Sequence, residues 1–290
     1  MPEHVDDVAR ATGLDLRPLG PLPGGEQGGA LLVEDADRQR FVVTVQHEPW
    51  KVQRLLAAVP VMRDAVARGW PAAAWLSAGS LPDGGAFVLQ EHLDAEPILR
   101  LDEDTARAVV AANRLQTEIG SAGAFDDSAQ LLAVLTDHPW RTAVAQRTSI
   151  GALVVERAER LHRTHGTAVL PVDDVVHGDY SGGNLLRETG GRIRFVDTET
   201  VSRGTRVRDL ADLYRQDAIA SRPASASQPA LTAEQVLQDE AVAAAGPAVF
   251  ATCLAAVSIN NLAWWAEHPS PDEFDRVCTR VLALLARLSP

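Results

Sequence analysis

Residues 175–186, VVHGDYSGGNLL, decide the fold of this chain, together with the run RFVDTE at residues 194–199. Asp179 and Asn184 lie on one predicted loop that ends in a strand. A hairpin then returns the chain, so that Asp197 lies at its far end. Two carboxylates and one amide oxygen can therefore converge on a small volume.

These three side chains have the chemistry of phosphoryl transfer. Asn184 and Asp197 offer oxygen ligands of the kind that Mg²⁺ binds, with waters and phosphate oxygens completing the shell. Asp179 remains to accept a proton from a substrate hydroxyl. The spacing His-x-Asp-x-x-x-x-Asn, followed by an Asp at a hairpin end, matches the phosphoryl-transfer pattern. Two simpler interpretations stay open: a local hydrogen-bonded pair of Asp179 and Asn184, and an Asp197 that merely ends a strand.

Upstream of this stretch, the sequence is typical of a small antiparallel sheet with one main helix. Strands are predicted at residues 30–34, 40–46, 74–76 and 86–91, after a short apolar run at 16–22. Apolar residues at helical spacing predict a helix at residues 50–69. Pro60 lies inside that helix, so we expect a kink or a break there.

Downstream, helical patterns follow one another and enclose the short hairpin. They cover residues 102–119, 128–136, 151–165, 207–217, 231–245, 247–267 and 271–288. Residues 221–228, rich in Pro, Ala and Ser, are predicted to form an exposed loop. The predicted class is therefore α+β with two lobes, a small antiparallel β lobe at residues 1–93 and a larger, mostly helical lobe at 94–290. We expect a ligand cleft between them.

Five motifs resemble the aminoglycoside phosphotransferase and choline-kinase-like family, whose fold is that of a protein kinase. HGDYSGGNLL (177–186) is similar to the family's catalytic loop, and FVDTET (195–200) is similar to its metal-binding segment. GTRVRDLA (204–211) resembles the element that follows. Upstream, PGGEQGGALLV (23–33) resembles the hairpin that covers the phosphates, and VLQEHLDAEP (88–97) resembles the hinge. The resemblance covers most of the chain, but beyond about residue 231 it is limited to helical character.

The resemblance implies a role for each residue of the central stretch. Asp179 would be the catalytic base or would orient the acceptor hydroxyl. Asn184 and Asp197 would hold Mg²⁺, and His177 would brace the loop rather than transfer protons. Asp209 would anchor the catalytic loop from below, although a helix N-cap is the simpler interpretation of this residue.

The resemblance also implies where the two substrates bind. The donor would be ATP or GTP, with its phosphates under Gly24, Gly25, Gly28 and Gly29 and its base against the backbone of Glu91 and Leu93. Candidate contacts to the acceptor are Ser181, Glu199 and Trp264, and Glu199 is also a candidate metal contact. Trp264 and Trp265 point about 100° apart on a helix, so one can lie in the core while the other stacks on a ring, although burial of both in the core is the simpler interpretation.

One departure from the family concerns the lysine that usually lies on the third strand and reaches the nucleotide phosphates. Thr44 occupies its place in FVVTVQ (41–46), and the helix that follows contains no Glu. Three interpretations follow. Lys51, or an arginine such as Arg40 or Arg54, reaches the phosphates from elsewhere; or the enzyme relies on Mg²⁺ and the glycine-rich backbone; or the protein binds nucleotide without turnover. We include Lys51 among the nucleotide-binding candidates.

Composition excludes several classes of protein. With 290 residues of which 46% are hydrophobic, the chain can bury a sizeable core. The net charge of −12 argues against a nucleic-acid partner, and two cysteines are too few for a disulfide scaffold. Lys51 is the only lysine among the 27 Lys and Arg residues. We expect no membrane span and no secretory signal, and hence a cytoplasmic protein.

The sequence is compatible with three functions. The first is a Mg²⁺-dependent kinase that phosphorylates a hydroxyl of an antibiotic-like natural product. The second is a metabolite kinase acting on an amino alcohol or sugar. The third is a nucleotide-binding pseudokinase without turnover, which the missing lysine favours. The sequence predicts no oligomeric state.

Overall fold

The computed structural model describes residues 4–22, 30–119, 124–165, 169–220, 232–267 and 270–288. The N-terminal part consists of a short helix, a long helix and five strands. These are α1 (Val5–Thr12), β1 (Arg17–Pro21), β2 (Ala30–Glu34), β3 (Arg40–Gln46), α2 (Pro49–Ala67), β4 (Trp75–Ser80) and β5 (Ala86–Glu91).

The five strands form one antiparallel sheet in the order β1-β2-β3-β5-β4. Because side chains alternate between the faces of a strand, each face of the sheet has its own core. On one face, Val43 and neighbouring apolar residues pack against Val5 and Val8 of α1. On the other face, Val88 of β5 packs against Leu55 of α2. The two helices thus cover opposite faces of the sheet.

The C-terminal part is mostly helical, with short strands near the loops that carry the candidate site. Its elements are β6 (Ala95–Pro97), α3 (Glu103–Arg114), α4 (Asp127–Thr136), α5 (Pro139–Arg147), α6 (Ser149–Thr164), β7 (Asp174–Val176), β8 (Leu185–Glu188), β9 (Ile193–Phe195), a 3-10 turn (Thr198–Thr200), β10 (Ser202–Gly204), α7 (Val207–Ala220), α8 (Ala233–Ala245), α9 (Pro247–Glu267) and α10 (Pro271–Ala286).

The long apolar helix α9 forms the centre of this part. It packs against α4, α5, α6, α7, α8 and α10. By length and composition it could cross a membrane, but 72% of its most apolar window is buried inside the fold. This degree of burial is typical of a core helix. The sequence pattern predicted a helix at the same residues, 247–267.

Two small sheets hold the loops of the candidate site. β7 pairs with β10, and β6, β8 and β9 form a three-stranded sheet. The loop between β7 and β8 is therefore anchored by a paired strand at each end. The segment after β9 is likewise anchored, because it runs from β9 to β10. The large sheet ends at Glu91 and β6 already belongs to another sheet. The division of the chain into 1–93 and 94–290 nevertheless stays a prediction.

The predicted α+β class, with an antiparallel N-terminal sheet and a helical C-terminal part, is confirmed. The helix α2 runs through Pro60 without a break. No sequence pattern predicted α1, α5 or the strands β6, β7 and β10. The two helices are short, and the three strands form only through distant partners. The predicted loop at 221–228 lies outside the described residues.

Candidate active site

The loop between β7 and β8 brings Asp179 and Asn184 into direct contact. Its turn is closed by the N–H of Ser181, which donates to the carbonyl of Asp179 at 2.9 Å. The side-chain amide of Asn184 donates from Nδ2 to Oδ2 of Asp179 at 2.8 Å. Because an ionised carboxylate can only accept, the amide nitrogen faces Asp179. The amide oxygen of Asn184 is thereby directed away from Asp179 and can bind a cation.

Asp197 lies beside Asn184 because the end of the β8–β9 hairpin is tied to it. The N–H of Val196 donates to the carbonyl of Asn184 at 3.0 Å. Asp197 itself has left-handed backbone angles, φ 58° and ψ 50°. This conformation costs a non-glycine residue about 1–2 kcal/mol. Such strain is typical of functional sites, where it aims one side chain in a required direction.

A second carboxylate, Glu199, lies against Asp197. A side-chain hydrogen bond joins the two groups, and loss of bulk solvent followed by the charge of Glu199 raises the pKa of Asp197 to about 7. Glu199 is buried, and among the described residues its Oε2 has no hydrogen-bond partner. Two adjacent carboxylates with an orphaned oxygen fit a hard cation such as Mg²⁺. The donor set of Asn184, Asp197 and Glu199 is therefore suited to Mg²⁺.

Asp179 has the electrostatics of a proton acceptor. Burial, then the charges of Asp212 and Asp197, raises its pKa to about 6, while Arg208 acts in the opposite direction. A carboxylate with such a pKa is ionised at pH 7 but binds a proton more readily than an ordinary Asp.

His177 holds the loop through both ring nitrogens. Its ring is fully buried. Nε2 lies 2.9 Å from the carbonyl oxygen of Val196, to which it can only donate, so Nδ1 accepts the N–H of Asp179 at 3.2 Å. The ring also packs edge-on against Trp70 and Tyr180. With both nitrogens engaged, His177 fits the bracing role that the family resemblance implies.

Asp209 supports the catalytic loop from α7. Its Oδ2 accepts the N–H of His177 at 2.8 Å and the side-chain amide of Gln116 at 2.7 Å. Its Oδ1 accepts the N–H of Gly178 at 3.0 Å. Asp209 is fully buried and lies inside the first turn of α7 rather than before it. Its carboxylate therefore receives loop N–H groups rather than capping the helix.

One face of α7 continues this support. Asp209, Asp212 and Gln216 are spaced to lie on one side of the helix. Gln216 accepts the N–H of Gly182 at 3.0 Å. Arg208 forms buried ion pairs with Asp209 and Asp212, and although burial opposes its charge, the surrounding carboxylates raise the pKa of Arg208. The helix thus holds both ends of the catalytic loop.

Most of the chain also matches the sequence model of a known protein family. Residues 19–245 match the sequence model of the APH family, described as the phosphotransferase enzyme family. The chain belongs to this family. It is therefore a phosphotransferase that acts on hydroxyl acceptors.

Solved structures of small-molecule kinases share the fold of this phosphotransferase. The choline kinase LicA from Streptococcus pneumoniae has a TM-score of 0.68 at 13% identity, covering 98% of this chain and 99% of that chain. A thermostable mutant of the aminoglycoside phosphotransferase APH(4)-Ia has a TM-score of 0.63 at 14% identity, covering 97% and 98%. The amicoumacin kinase hAmiN, in complex with AMP-PNP, Ca²⁺ and Ami, has a TM-score of 0.61 at 14% identity, covering 98% and 91%. No curated protein sequence matches the chain significantly.

The hinge candidates of the phosphotransferase lie at the end of the large sheet. The N–H of Glu91 donates to the carbonyl of Ala74 at 3.0 Å, and the Glu91 carboxylate is bound by Arg194. The N–H of Glu91 is thus already engaged within the protein. Leu93 follows just beyond β5 and is half-buried. Gly24, Gly25, Gly28 and Gly29 lie outside the described residues.

Thr44, which takes the place of the missing lysine, faces α2. Thr44 pairs with Val88, and Val88 packs against Leu55 of that helix, so Thr44 lies on the same face of the sheet. Lys51, in the first turn of α2, donates to Glu48 at 2.7 Å and lies 5.5 Å above the ring of Trp50. Because an ammonium has three donor hydrogens, Lys51 can keep this ion pair while it binds a phosphate.

Replacement of Lys51 tests its predicted part in nucleotide binding. We expect Lys51→Ala to raise the nucleotide Kd by about tenfold, the equivalent of one charge-assisted hydrogen bond of about 1.5 kcal/mol. The matched control is Arg68→Ala at the other end of the same helix, where Arg68 donates to the carbonyl of Glu118. Titration with a fluorescent nucleotide measures both variants. Equal nucleotide affinities in Lys51→Ala and Arg68→Ala would show that Lys51 does not bind the nucleotide.

Arg54 is a site residue that the sequence offered only as one of several cations. It lies one turn after Lys51 and donates to the carbonyl of Thr200 at 3.1 Å. Its guanidinium lies 4.8 Å from the ring centre of Phe125, and burial lowers the pKa of Arg54 while Asp127 opposes that effect. Arg54 therefore joins α2 to the segment that follows Asp197. No local pattern predicts a contact across 146 residues.

The acceptor-side candidates separate in the structure. Ser181 is half-buried in the catalytic loop itself. Trp264 is 40% exposed near the end of α9, while Trp265 is partly buried against the core. One turn before Trp264, Asn261 accepts a hydrogen bond from Arg215, which pairs with Asp212. These contacts connect α9, the helix that carries Trp264, to the carboxylates beneath Asp179.

Proposed function

We propose that this phosphotransferase is a Mg²⁺-dependent kinase that transfers the γ-phosphate of ATP or GTP to a hydroxyl of an antibiotic-like natural product. The proposal rests on one arrangement of side chains. The Asn184 amide donates a hydrogen bond to Asp179, and the paired carboxylates of Asp197 and Glu199 lie beside it. The complex of the amicoumacin kinase with AMP-PNP and Ca²⁺ supports a nucleotide donor and a divalent cation at this fold.

The proposed reaction assigns one task to each side chain. Asp179 accepts the proton of the acceptor hydroxyl while the hydroxyl oxygen bonds to the γ-phosphorus. At the same time, the bond from that phosphorus to the leaving nucleoside diphosphate breaks. Asn184 and Asp197, with Glu199, would hold Mg²⁺, which when bound offsets negative charge on the phosphates. His177 keeps the N–H of Asp179 in place. The acceptor would contact Ser181 and Trp264.

A metabolite kinase is the second candidate, favoured by the shared fold with a choline kinase. An amino alcohol is a cation, and the carboxylates around Asp179 suit a cationic acceptor. Both candidates are tested by incubating the protein with ATP or GTP, with and without Mg²⁺, against pooled antibiotics and pooled metabolites. Mass spectrometry then detects the acceptor that gains one phosphate. Product from the metabolite pool alone would replace the first candidate by the second, and product from neither pool would refute both. The cytoplasmic location stays a prediction.

Asp197 provides the test of the metal site. We expect Asp197→Asn to raise the Mg²⁺ concentration for half-maximal rate by more than about tenfold, because the variant loses a charged ligand. The matched control is Asp173→Asn, the same change at an exposed residue before β7. Initial rates across a Mg²⁺ titration measure both. An unchanged Mg²⁺ dependence in Asp197→Asn would place the cation elsewhere.

A further inference from the structure

Two histidines and a carboxylate meet at one end of the N-terminal sheet. His4 directly precedes α1, His47 directly follows β3, and Asp83 lies in the turn between β4 and β5. Oδ2 of Asp83 lies 3.6 Å from Nδ1 of His47 and 3.9 Å from Nδ1 of His4. All three atoms lie within 4.8 Å of one another. Residues from three separate segments thus present two imidazole nitrogens and one carboxylate oxygen to a common point.

The local backbone keeps these groups oriented. The N–H of Gly85 donates to Oδ1 of Asp83 at 3.0 Å, which leaves Oδ2 for the histidines. This hydrogen bond, with smaller effects of His47 and His4, holds the pKa of Asp83 below its usual range, so the carboxylate is ionised at neutral pH. A Cβ at Gly85 would lie only 2.8 Å from Nδ1 of His47. The glycine therefore provides the space that the His47 ring occupies.

We propose that His4, His47 and Asp83 bind one Zn²⁺ ion, which fixes α1 to the sheet. Tetrahedral zinc with nitrogen and oxygen ligands at about 2.0–2.2 Å requires ligand atoms about 3.4 Å apart, so the observed separations close by small side-chain rotations. Water takes the fourth position. The hydrogen bond from Gly85 to Asp83 is an outer-shell contact of the kind that orients zinc ligands.

The chemistry of this site distinguishes it from the catalytic one. Imidazole nitrogens favour zinc and other late divalent ions, whereas the oxygen-only set of Asn184, Asp197 and Glu199 favours Mg²⁺. A zinc titration in saturating Mg²⁺ therefore reports on the histidine site. Because the proposal does not depend on phosphoryl transfer, it is tested by binding and stability rather than by turnover.

The first test is calorimetric titration of the untagged protein with ZnCl₂ in excess Mg²⁺. We expect one Zn²⁺ per chain, with affinity about tenfold or more weaker in His47→Ala and in Asp83→Asn. Both residues are about half exposed, so these variants should fold. The matched control, His92→Ala, removes a histidine of the same sheet region outside the cluster and should bind Zn²⁺ as wild type does. Equal affinity in wild type and His47→Ala, or no zinc binding to wild type, would overturn the proposal.

The second test is the thermal midpoint with and without Zn²⁺. A ligand that binds only the folded chain raises the midpoint, because it stabilises that state by RT ln(1 + [L]/Kd). Wild type and His92→Ala should gain stability with Zn²⁺, and His47→Ala and Asp83→Asn should not. A zinc-induced shift that persists in both cluster variants would show that the metal binds at another site and would refute this assignment.

Discussion

Asp179→Asn should turn over about 10²- to 10⁴-fold more slowly than wild type, the range associated with loss of a positioned general base. The amide has nearly the shape of the carboxylate and keeps one acceptor oxygen for the amide of Asn184. It cannot take the proton of the acceptor hydroxyl. Nucleotide affinity should change little, because Asp179 contacts the catalytic loop rather than the hinge. Steady-state rates with the screened acceptor, beside a nucleotide titration, measure the two effects separately.

The pH profile identifies the cause of that loss. Burial and Asp212 raise the pKa of Asp179 to about 6. The wild-type rate should therefore fall as the pH falls through about 6, since the proton-accepting form is lost, and the residual rate of Asp179→Asn should lack this limb. Asp173→Asn, exposed and outside the site, serves as the control and should keep the wild-type profile. A variant rate within a few-fold of wild type would show that Asp179 is not the base.

Asp209→Asn should destabilise the fold by about 3 kcal/mol, a magnitude typical of disrupting a buried and hydrogen-bonded charge. The carboxylate accepts from His177, Gly178 and Gln116 with both of its oxygens. In the variant, an NH₂ group would face one set of these N–H donors, and Arg208 would lose a buried partner. Urea denaturation followed by circular dichroism measures the change as a lower midpoint.

The control for this prediction is Asp137→Asn, at an exposed position after α4. It should change stability by no more than about 0.5 kcal/mol. The folded Asp209→Asn protein should also turn over more slowly, because the N–H groups of the loop lose their common anchor. A midpoint equal to that of the control would mean that the loop finds its support elsewhere.

The sequence and the structure agree most closely where a motif is local. Asp179 and Asn184 are five residues apart, and a short loop already restricts how far they can separate. The strand at Arg40–Gln46 and the helix at Pro247–Glu267 were predicted at the residues where they occur, because alternation and continuous apolar character are properties of the segment itself. The strands β6, β7 and β10 were not predicted from the sequence, because they form only by pairing with distant segments.

By itself, then, the sequence determined the α+β class, the phosphotransferase resemblance and the loop that carries Asp179. These follow from short-range spacing and from turn and strand propensities that need no partner. Only the tertiary structure decided that Glu199 lies against Asp197 with an unpaired oxygen, that Arg54 reaches Thr200, and that His4, His47 and Asp83 meet. Each of these contacts joins separate segments or depends on how one strained residue directs its side chain. The packing of the whole chain therefore sets their distances, and no pattern along the sequence encodes them.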